Sequence, residues 1–600
     1  MCGIVGMVVA PGRDLGLTDA HAARWRDTLA HRGPDDAGLW RDEQVLLGHR
    51  RLAILDPTPG GHQPYEVRTG AADDRPDLVL SYNGELYNDA ALRDELPGPW
   101  RTRCDTETLA SALHRWADGA LPRLRGMYAF AAYDVRGRSL TLTRDPLGVK
   151  PLFYWRGPGV VVFASEIAAL VAHPLVPARP DPAMVRGYAT TIRTVLDDRT
   201  MYEGVRALRP GEALRLDLTK AELGERRWMH WAPGGDRGTP DTIVRTRDVI
   251  TESVRAHLRS DVPTCALLSG GLDSTIISFI ARASAPHLRT YCAGDPHPEP
   301  GDDRGPSDLE IARDAAAFLD TDHAEAHLDD AAFLEGWRGM VQHLRTPMST
   351  PNEVAIHAVA ARLRADGCIV TLSGEGADEL FAGYDVPLRA AAEYLAADEH
   401  PCTPGEFALR AACWVPVDGA QAIFREGMLD SVLEGRWLER TYDAEFDAAA
   451  HDAGGTGLEA FSVMLRRVNL TGLVHRLDTA TMAASVEGRT PFADARVAGF
   501  AESVPIDERI AWDGPGARTK IPLREAFRAD LPGIVTDRPK ASFPLPFQRW
   551  AAAEAPRLLG SALLAEWCQP EALAFVAEAP AERWHLAWPL INLAMWGETL

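Results

Sequence analysis

Lysine is nearly missing from this 600-residue chain: four residues, at 150, 220, 520 and 540, stand against fifty-nine arginines. Codon bias accounts for a general shortage, so a retained lysine is expected where a compact point charge is needed and a planar guanidinium fork fails. Paired cysteine motifs are missing too. The eight cysteines, at 2, 104, 265, 292, 368, 402, 413 and 568, show no CxxC spacing, which argues against a zinc site and a disulfide framework. No apolar run approaches the ~18 residues of a membrane span. The opening M-C-G-I-V-G-M-V-V-A has neither a basic leader nor a long apolar core, so a cytoplasmic location is expected. Basic charge is in deficit: 63 basic against 85 acidic residues give a net charge of −22. That argues against nucleic acid or an anionic membrane as the main partner and leaves room for a local basic pocket that takes ATP.

What is present is a globular composition, 46% hydrophobic and 25% charged. It suits several domains, two of them large. The most informative stretch is 262–283, V-P-T-C-A-L-L, S-G-G-L-D-S, T-I-I-S-F-I-A-R-A. An apolar strand passes through a tight loop into a helix carrying Ile276, Ile277, Phe279 and Ile280. Gly270 and Gly271 let loop amides and a helix N-terminus approach an anion. Ser269 and Ser274 add hydroxyl donors. Asp273 would repel a bare phosphate but suits one whose charge is shared with Mg2+. No G-K-[ST] follows, so this is not the common NTPase loop.

S-G-G-x-D-S also resembles the loop of enzymes that cleave ATP between the α and β phosphates, adenylating a substrate and releasing pyrophosphate. By that resemblance, Leu268, Ser269, Gly270, Gly271, Leu272, Asp273 and Ser274 bind ATP.

At the other end, removal of Met1 would leave Cys2 with a thiol and a free α-amine on one residue. Such an amine titrates at about 7.7–8.0 and can serve the thiol as general base. The opening resembles the N-terminal-nucleophile glutaminase domain of class II glutamine amidotransferases. Further matches follow in the family's order: H-R-G-P-D at 31–35, H-R-R-L-A-I-L-D at 49–56, Y-N-G-E-L-Y-N at 82–88, C-D-T-E-T-L at 104–109, R-G-M-Y-A-F-A-A-Y-D at 125–134 and R-D-P-L-G-V-K-P-L-F-Y at 144–154. The resemblance implies that Cys2 attacks the glutamine amide, with Asn83 and the Gly84 backbone stabilising the oxyanion. Arg51 would hold the α-carboxylate and Asp105 the α-ammonium, with Glu85 also in the glutamine site. Taken alone, Asn83-Gly84 reads as a hairpin turn, and Arg51 and Asp105 as surface charges.

Short β-type runs separated by turn residues extend to 213–218, and by resemblance this half is a sandwich of two sheets between helical layers. The polar, Gly- and Pro-rich segment 219–241 reads as a linker. From 242 strands alternate with helices, which implies a mainly parallel, doubly wound sheet with ligands at the carboxyl ends of its strands. S-G-E-G-A-D-E-L-F-A-G-Y at 373–384 matches the second motif of the asparagine synthetase family. M-A-A-S-V-E-G-R-T-P-F-A-D at 482–494, T-K-I-P-L-R-E-A-F at 519–527 and R-P-K-A-S-F-P-L-P-F-Q-R-W at 538–550 match further.

The family resemblance adds Ser373, Gly374 and Glu375 to the ATP site. It has Asp378 share Mg2+ with Asp273, puts Glu375 and Glu379 on the acceptor side, and makes Lys540 the catalytic lysine. Clustered carboxylates without a cation are costly, which gives the metal a physical motive. The expected organisation is a glutaminase domain at 1–218, a linker at 219–241 and an ATP-dependent synthetase domain at 242–600. The expected activity is a glutamine-dependent ligase forming an amide from a carboxylic acid through an acyl-adenylate, with ammonia channelled from Cys2. A homodimer is compatible with the resemblance. Rival readings are an adenylating cyclase of the β-lactam or lasso-peptide type and a non-catalytic relative. Thr346-Pro347 stands where the family often has Glu-Pro, and Thr479 where a basic residue is common. Both departures point to an acceptor other than free aspartate.

Overall fold

The computed structural model describes residues 2–70, 75–231, 241–295, 307–426, 428, 436–514, 516–538 and 546–600. The N-terminal half is two stacked antiparallel sheets. One has eight strands, with Cys2–Val9 between Val160–Ala164 and Val45–Arg51. The other has six, with Leu78–Leu86 beside Gly126–Asp134. Cys2–Val9 is buried along its whole length, because the second sheet covers one face and helices the other; its nearly unbroken apolar run reports that double covering. Ile4, Val8, Leu47, Val79, Ala129 and Leu140 form the layer between the sheets. Helix Asp19–Asp27 packs Trp25 onto the first sheet, and Asp105–Trp116 packs Leu109 onto the second.

The assignment of all of 219–241 to a linker is corrected. Gly224–Met229 pairs antiparallel with Glu212–Asp217 and is an edge strand of the six-stranded sheet. Its sequence G-E-R-R-W-M is mostly exposed, so it lacks the apolar alternation that marks a half-buried strand, and its charges suit an unpaired edge. Residues 232–240 lie outside the described set.

Among the described residues, the main sheet of the C-terminal half has five parallel strands in the order Asp322–His327, Arg289–Gly294, Thr264–Leu267, Val370–Leu372, Glu487–Arg489. The chain starts in the middle, winds outward to one edge, then returns to build the other. Its switch point falls between Thr264–Leu267 and Val370–Leu372, so the loops 268–271 and 373–376 open side by side at the strand ends. Local chemistry sets the helices around it. Asp308–Leu319, for example, begins with a complete capping box from Ser307 and Glu310.

The helical territory beyond 385 packs against both halves. Trp584–Gly597 is buried along most of its length. Trp588 stacks on Trp337 at 4.5 Å between centroids, and the Trp596 indole donates to the Tyr202 hydroxyl at 3.0 Å. No helix among the described residues is long and apolar enough to cross a membrane.

Candidate active sites and the seam between them

Cys2 and Asn83 meet across the two sheets. The backbone N–H of Cys2 donates to Asn83 Oδ1 at 2.9 Å. Asn83 is fully buried, and its Nδ2 has no hydrogen-bond partner among the described residues. A buried orphan donor costs about 1–3 kcal/mol, so a carboxamide fixed at one end and unpaired at the other is a donor held ready. Burial pushes the Cys2 thiol up, while positive charge nearby, including Arg51, pulls it back. Gly84 is tightly covered: a Cβ there would lie 2.3 Å from the Met127 carbonyl oxygen.

Arg51 sits opposite Cys2 in the strand register. Its guanidinium donates to the carbonyls of Thr58, Leu55 and Asp56 at 2.8, 3.1 and 2.6 Å. Asp105, at the start of its helix, accepts from the Tyr82 hydroxyl and the Leu86 N–H, both at 2.9 Å. Burial raises its carboxyl above the ordinary range. Glu85 turns instead toward the other half of the chain, 3.4 Å from Arg489 and 3.5 Å from Arg259.

The two glycine loops form the second site. Gly270 has φ +73°, and a Cβ there would lie 2.6 Å from the Ile311 backbone oxygen, so only glycine fits. Leu268 and Leu272 are buried, leaving their backbones rather than their side chains to the loop. Helix Leu272–Ser284 has no side-chain cap, so its first amides remain available to an anion. Ser269 Oγ and Ser274 Oγ lie 3.0 Å apart. Gly374 packs against this loop, with a Cβ position 3.1 Å from the Ser274 nitrogen, and the Glu375 N–H donates to Ser373 Oγ at 3.4 Å.

The structure brings Asp273 and Asp378 onto one cation. Lys520 Nζ lies 2.6 Å from Asp273 Oδ2 and 2.8 Å from Asp378 Oδ1. Burial alone would lower the Lys520 ammonium, but the two carboxylates raise it above its ordinary range. Lys520 lies in the family-like segment 519–527, whose sequence by itself assigns the lysine no role. Convergence of two carboxylates on a shared positive charge is also what a hard divalent ion requires, so the residues fit Mg2+. Lys540, the expected catalytic lysine, lies outside the described residues.

After the second loop, Glu375 accepts from Arg476 Nη2 at 2.7 Å, and the other end of that guanidinium donates to Thr350 Oγ1 at 3.0 Å. Glu379 accepts from the Tyr384 hydroxyl. Burial, reinforced by Asp378, pushes its carboxyl up to about 7. Arg476 and Tyr384 line a cavity of about 1470 Å³ between the two halves of the chain, and so do Thr346, Pro347 and Thr479.

A buried polar seam joins the sites. Arg32 donates through Nε to the Cys2 carbonyl at 3.1 Å and through Nη1 to Glu166 at 2.9 Å. Its Nη2 lies 2.9 Å from Asp478, which also pairs with Lys150 at 3.3 Å. Glu166 reaches the same large cavity. Nothing in H-R-G-P-D marked Arg32 as more than a motif residue, because its partners are distant in sequence.

Comparison with known proteins covers both halves. Residues 1–229 match the glutamine amidotransferase domain family and residues 245–598 the asparagine synthase family. The glutamine-hydrolyzing asparagine synthetase 3 of Bacillus subtilis is 30% identical over 585 residues, covering 91% of this chain and 87% of the relative. The amidase chyE of Penicillium rubens is 26% identical, covering 92% of this chain and 89% of the relative. Among solved structures, the glutamine phosphoribosylpyrophosphate amidotransferase of B. subtilis aligns over 62% of this chain and 82% of its own at 16% identity, with a TM-score of 0.29. On the family matches and the length of the shared alignment, the chain belongs to the asparagine synthase family and is a glutamine-hydrolysing carbon–nitrogen ligase.

Proposed function

We propose that the chain converts a carboxylic acid other than aspartate into its amide, using ammonia released from glutamine at Cys2. With Met1 removed, the Cys2 α-amine takes the thiol proton and the thiolate attacks the glutamine carboxamide. Ammonia leaves, and water later hydrolyses the thioester. Asn83 Nδ2 and the Gly84 backbone hold the oxyanion, where one preorganised donor is worth about 3–4 kcal/mol. Arg51 and Asp105 orient the amino acid, while Glu85 ties this unit to Arg489 and Arg259 of the other half. Residues 1–229 form this glutaminase unit, and the synthetase unit begins near Thr242.

At the second site, residues 268–274 and 373–375 hold ATP. The acceptor carboxylate attacks the α-phosphorus and pyrophosphate leaves. Ammonia then displaces AMP from the acyl carbon. Asp273 and Asp378 would hold Mg2+, which supplies positive charge to the phosphate oxygens. Lys520 adds fixed charge beside them, Lys540 is the lysine that stabilises charge during adenylation, and Glu375 and Glu379 face the acceptor.

One observation carries the coupling of the two reactions. A single cavity is walled by Glu166, which is bonded to the arginine holding the Cys2 carbonyl, and by Arg476 and Tyr384, which hold the acceptor-side carboxylates. The chemistry calls for enclosure, since ammonia is protonated in water and acyl-adenylates hydrolyse.

The acceptor reading rests on the walls of that cavity. Thr346 and Thr479 are buried and neutral, and Thr479 Oγ1 donates to the His475 carbonyl at 3.0 Å. Neither supplies the fixed charge that a small zwitterion needs. The test is to incubate the chain with glutamine, MgATP and candidate acids and measure glutamate, AMP and amide. Equimolar formation with an acid other than aspartate is expected; efficient asparagine formation overturns the acceptor assignment.

A further inference from the structure

The cavity between the two halves is far larger than either the ammonia route or an amino-acid acceptor needs. Its volume is about 1470 Å³. A water-sized molecule such as ammonia needs roughly 30 Å³, tens of times less. Pockets for drug-sized ligands run to about 300–1,000 Å³, so this one has room for an extended molecule.

Its lining has two characters. At one wall stand Arg476, Thr350 and Tyr384, the direct partners of Glu375 and Glu379. The rest mixes charged and polar side chains with apolar ones, among them Phe153, Ile192, Trp231, Trp414, Trp437 and Val468. The arginines that reach the cavity are largely committed elsewhere. Arg144 donates to the carbonyls of Lys150, Leu208 and Gly148. Arg467 pairs with Glu445 and Asp452. Charged groups are thus spread around the cavity, most of them paired with one another or with backbone carbonyls, and the aromatic and aliphatic side chains between them offer contacts worth roughly 25 cal/mol for each Å² they cover.

We infer that the acceptor is an extended carboxylic acid with an apolar or aromatic body, its carboxyl at the Arg476 and Tyr384 wall and its body in the cavity between the domains. This assignment rests on the proposed adenylating function and adds the size and character of the substrate.

Gly472 lies at this cavity, with a Cβ position that meets only Arg193 Nη1, at 3.5 Å. Gly472→Trp thus fills cavity space without touching the nucleotide loops, and Ala448→Phe does the same from another wall. The experiment is ATP–pyrophosphate exchange by the full-length chain with aspartate, acetate, 4-phenylbutyrate and indole-3-propionate. The expected result is at least ten-fold higher kcat/KM with the better extended acid than with aspartate or acetate. Either cavity-filling variant should reduce that value at least ten-fold, with glutamine hydrolysis retained as the measure of folding. Exchange with aspartate or acetate equal to that with the extended acids overturns the assignment and leaves adenylation standing. Extended-acid exchange untouched by both variants overturns the location. No exchange with any acid, in protein that still hydrolyses glutamine, overturns the adenylation reading itself and this assignment with it.

Discussion

Lys520 Nζ lies 2.6 Å from the Asp273 carboxylate although 247 positions separate them in sequence. The lysine is only 5% exposed, and the same ammonium reaches Asp378. Replacing it by methionine leaves two carboxylates facing each other without their shared cation. Lys520→Met is expected to lower ATP–pyrophosphate exchange by at least a hundred-fold while glutamine hydrolysis continues. Exchange within a few-fold of the parent would show that the lysine only balances charge.

Cys2 lies in the N-terminal half, and the cluster of Asp273, Asp378 and Lys520 lies in the C-terminal half. Cys2→Ala should abolish glutamine-supported amide synthesis yet leave synthesis from high ammonium largely intact, since Asp273, Asp378 and Lys520 are untouched. Equal loss with both nitrogen sources, in protein shown to be folded by its near-ultraviolet dichroism, would refute two separate sites.

Arg32 and Asp478 are both buried and tie the halves together. Removing one partner of a buried ion pair typically costs about 3–5 kcal/mol, whereas replacing both by apolar groups is much less harmful. Asp478→Leu should therefore lower the denaturation midpoint markedly, and Arg32→Met in the same chain should restore part of it. Lys150, the other partner of Asp478, limits the recovery. Strictly additive losses would mean that the pair is not coupled.

Glu379 gives the nucleotide-free protein a pH dependence. Its folded carboxyl is raised to about 7 from 4.5, so the folded state holds the proton more tightly than the unfolded chain. That contribution is full below pH 4.5, is lost as pH rises to 7, and totals ~3 kcal/mol. Glu379→Gln mimics the protonated form. Its stability relative to the parent should increase across this window and level off above it. Parallel profiles of Tm against pH for the two proteins would show that Glu379 is not the titrating group.

Much of the site was legible because its residues meet local demands. A loop that turns sharply beside a helix start needs glycine at φ +73°, and Gly270 supplies it. The strand entering that loop and the helix leaving it show their periodicities directly. Gly224–Met229 was misread for the opposite reason: an exposed, charged edge strand carries no such pattern.

The chain's sequence by itself determined that a thiol stands at position 2, that two glycine loops follow parallel strands, and that the whole belongs with glutamine-dependent ligases. Only the tertiary structure decided that Asn83 points one amide end at Cys2 and leaves the other unpaired, that Lys520 fills the gap between Asp273 and Asp378, and that a large cavity adjoins Arg476 and Tyr384. Local backbone geometry depends on neighbours along the chain and is written there residue by residue. Ion pairs and cavities depend on how whole layers pack, and no single segment contains that information.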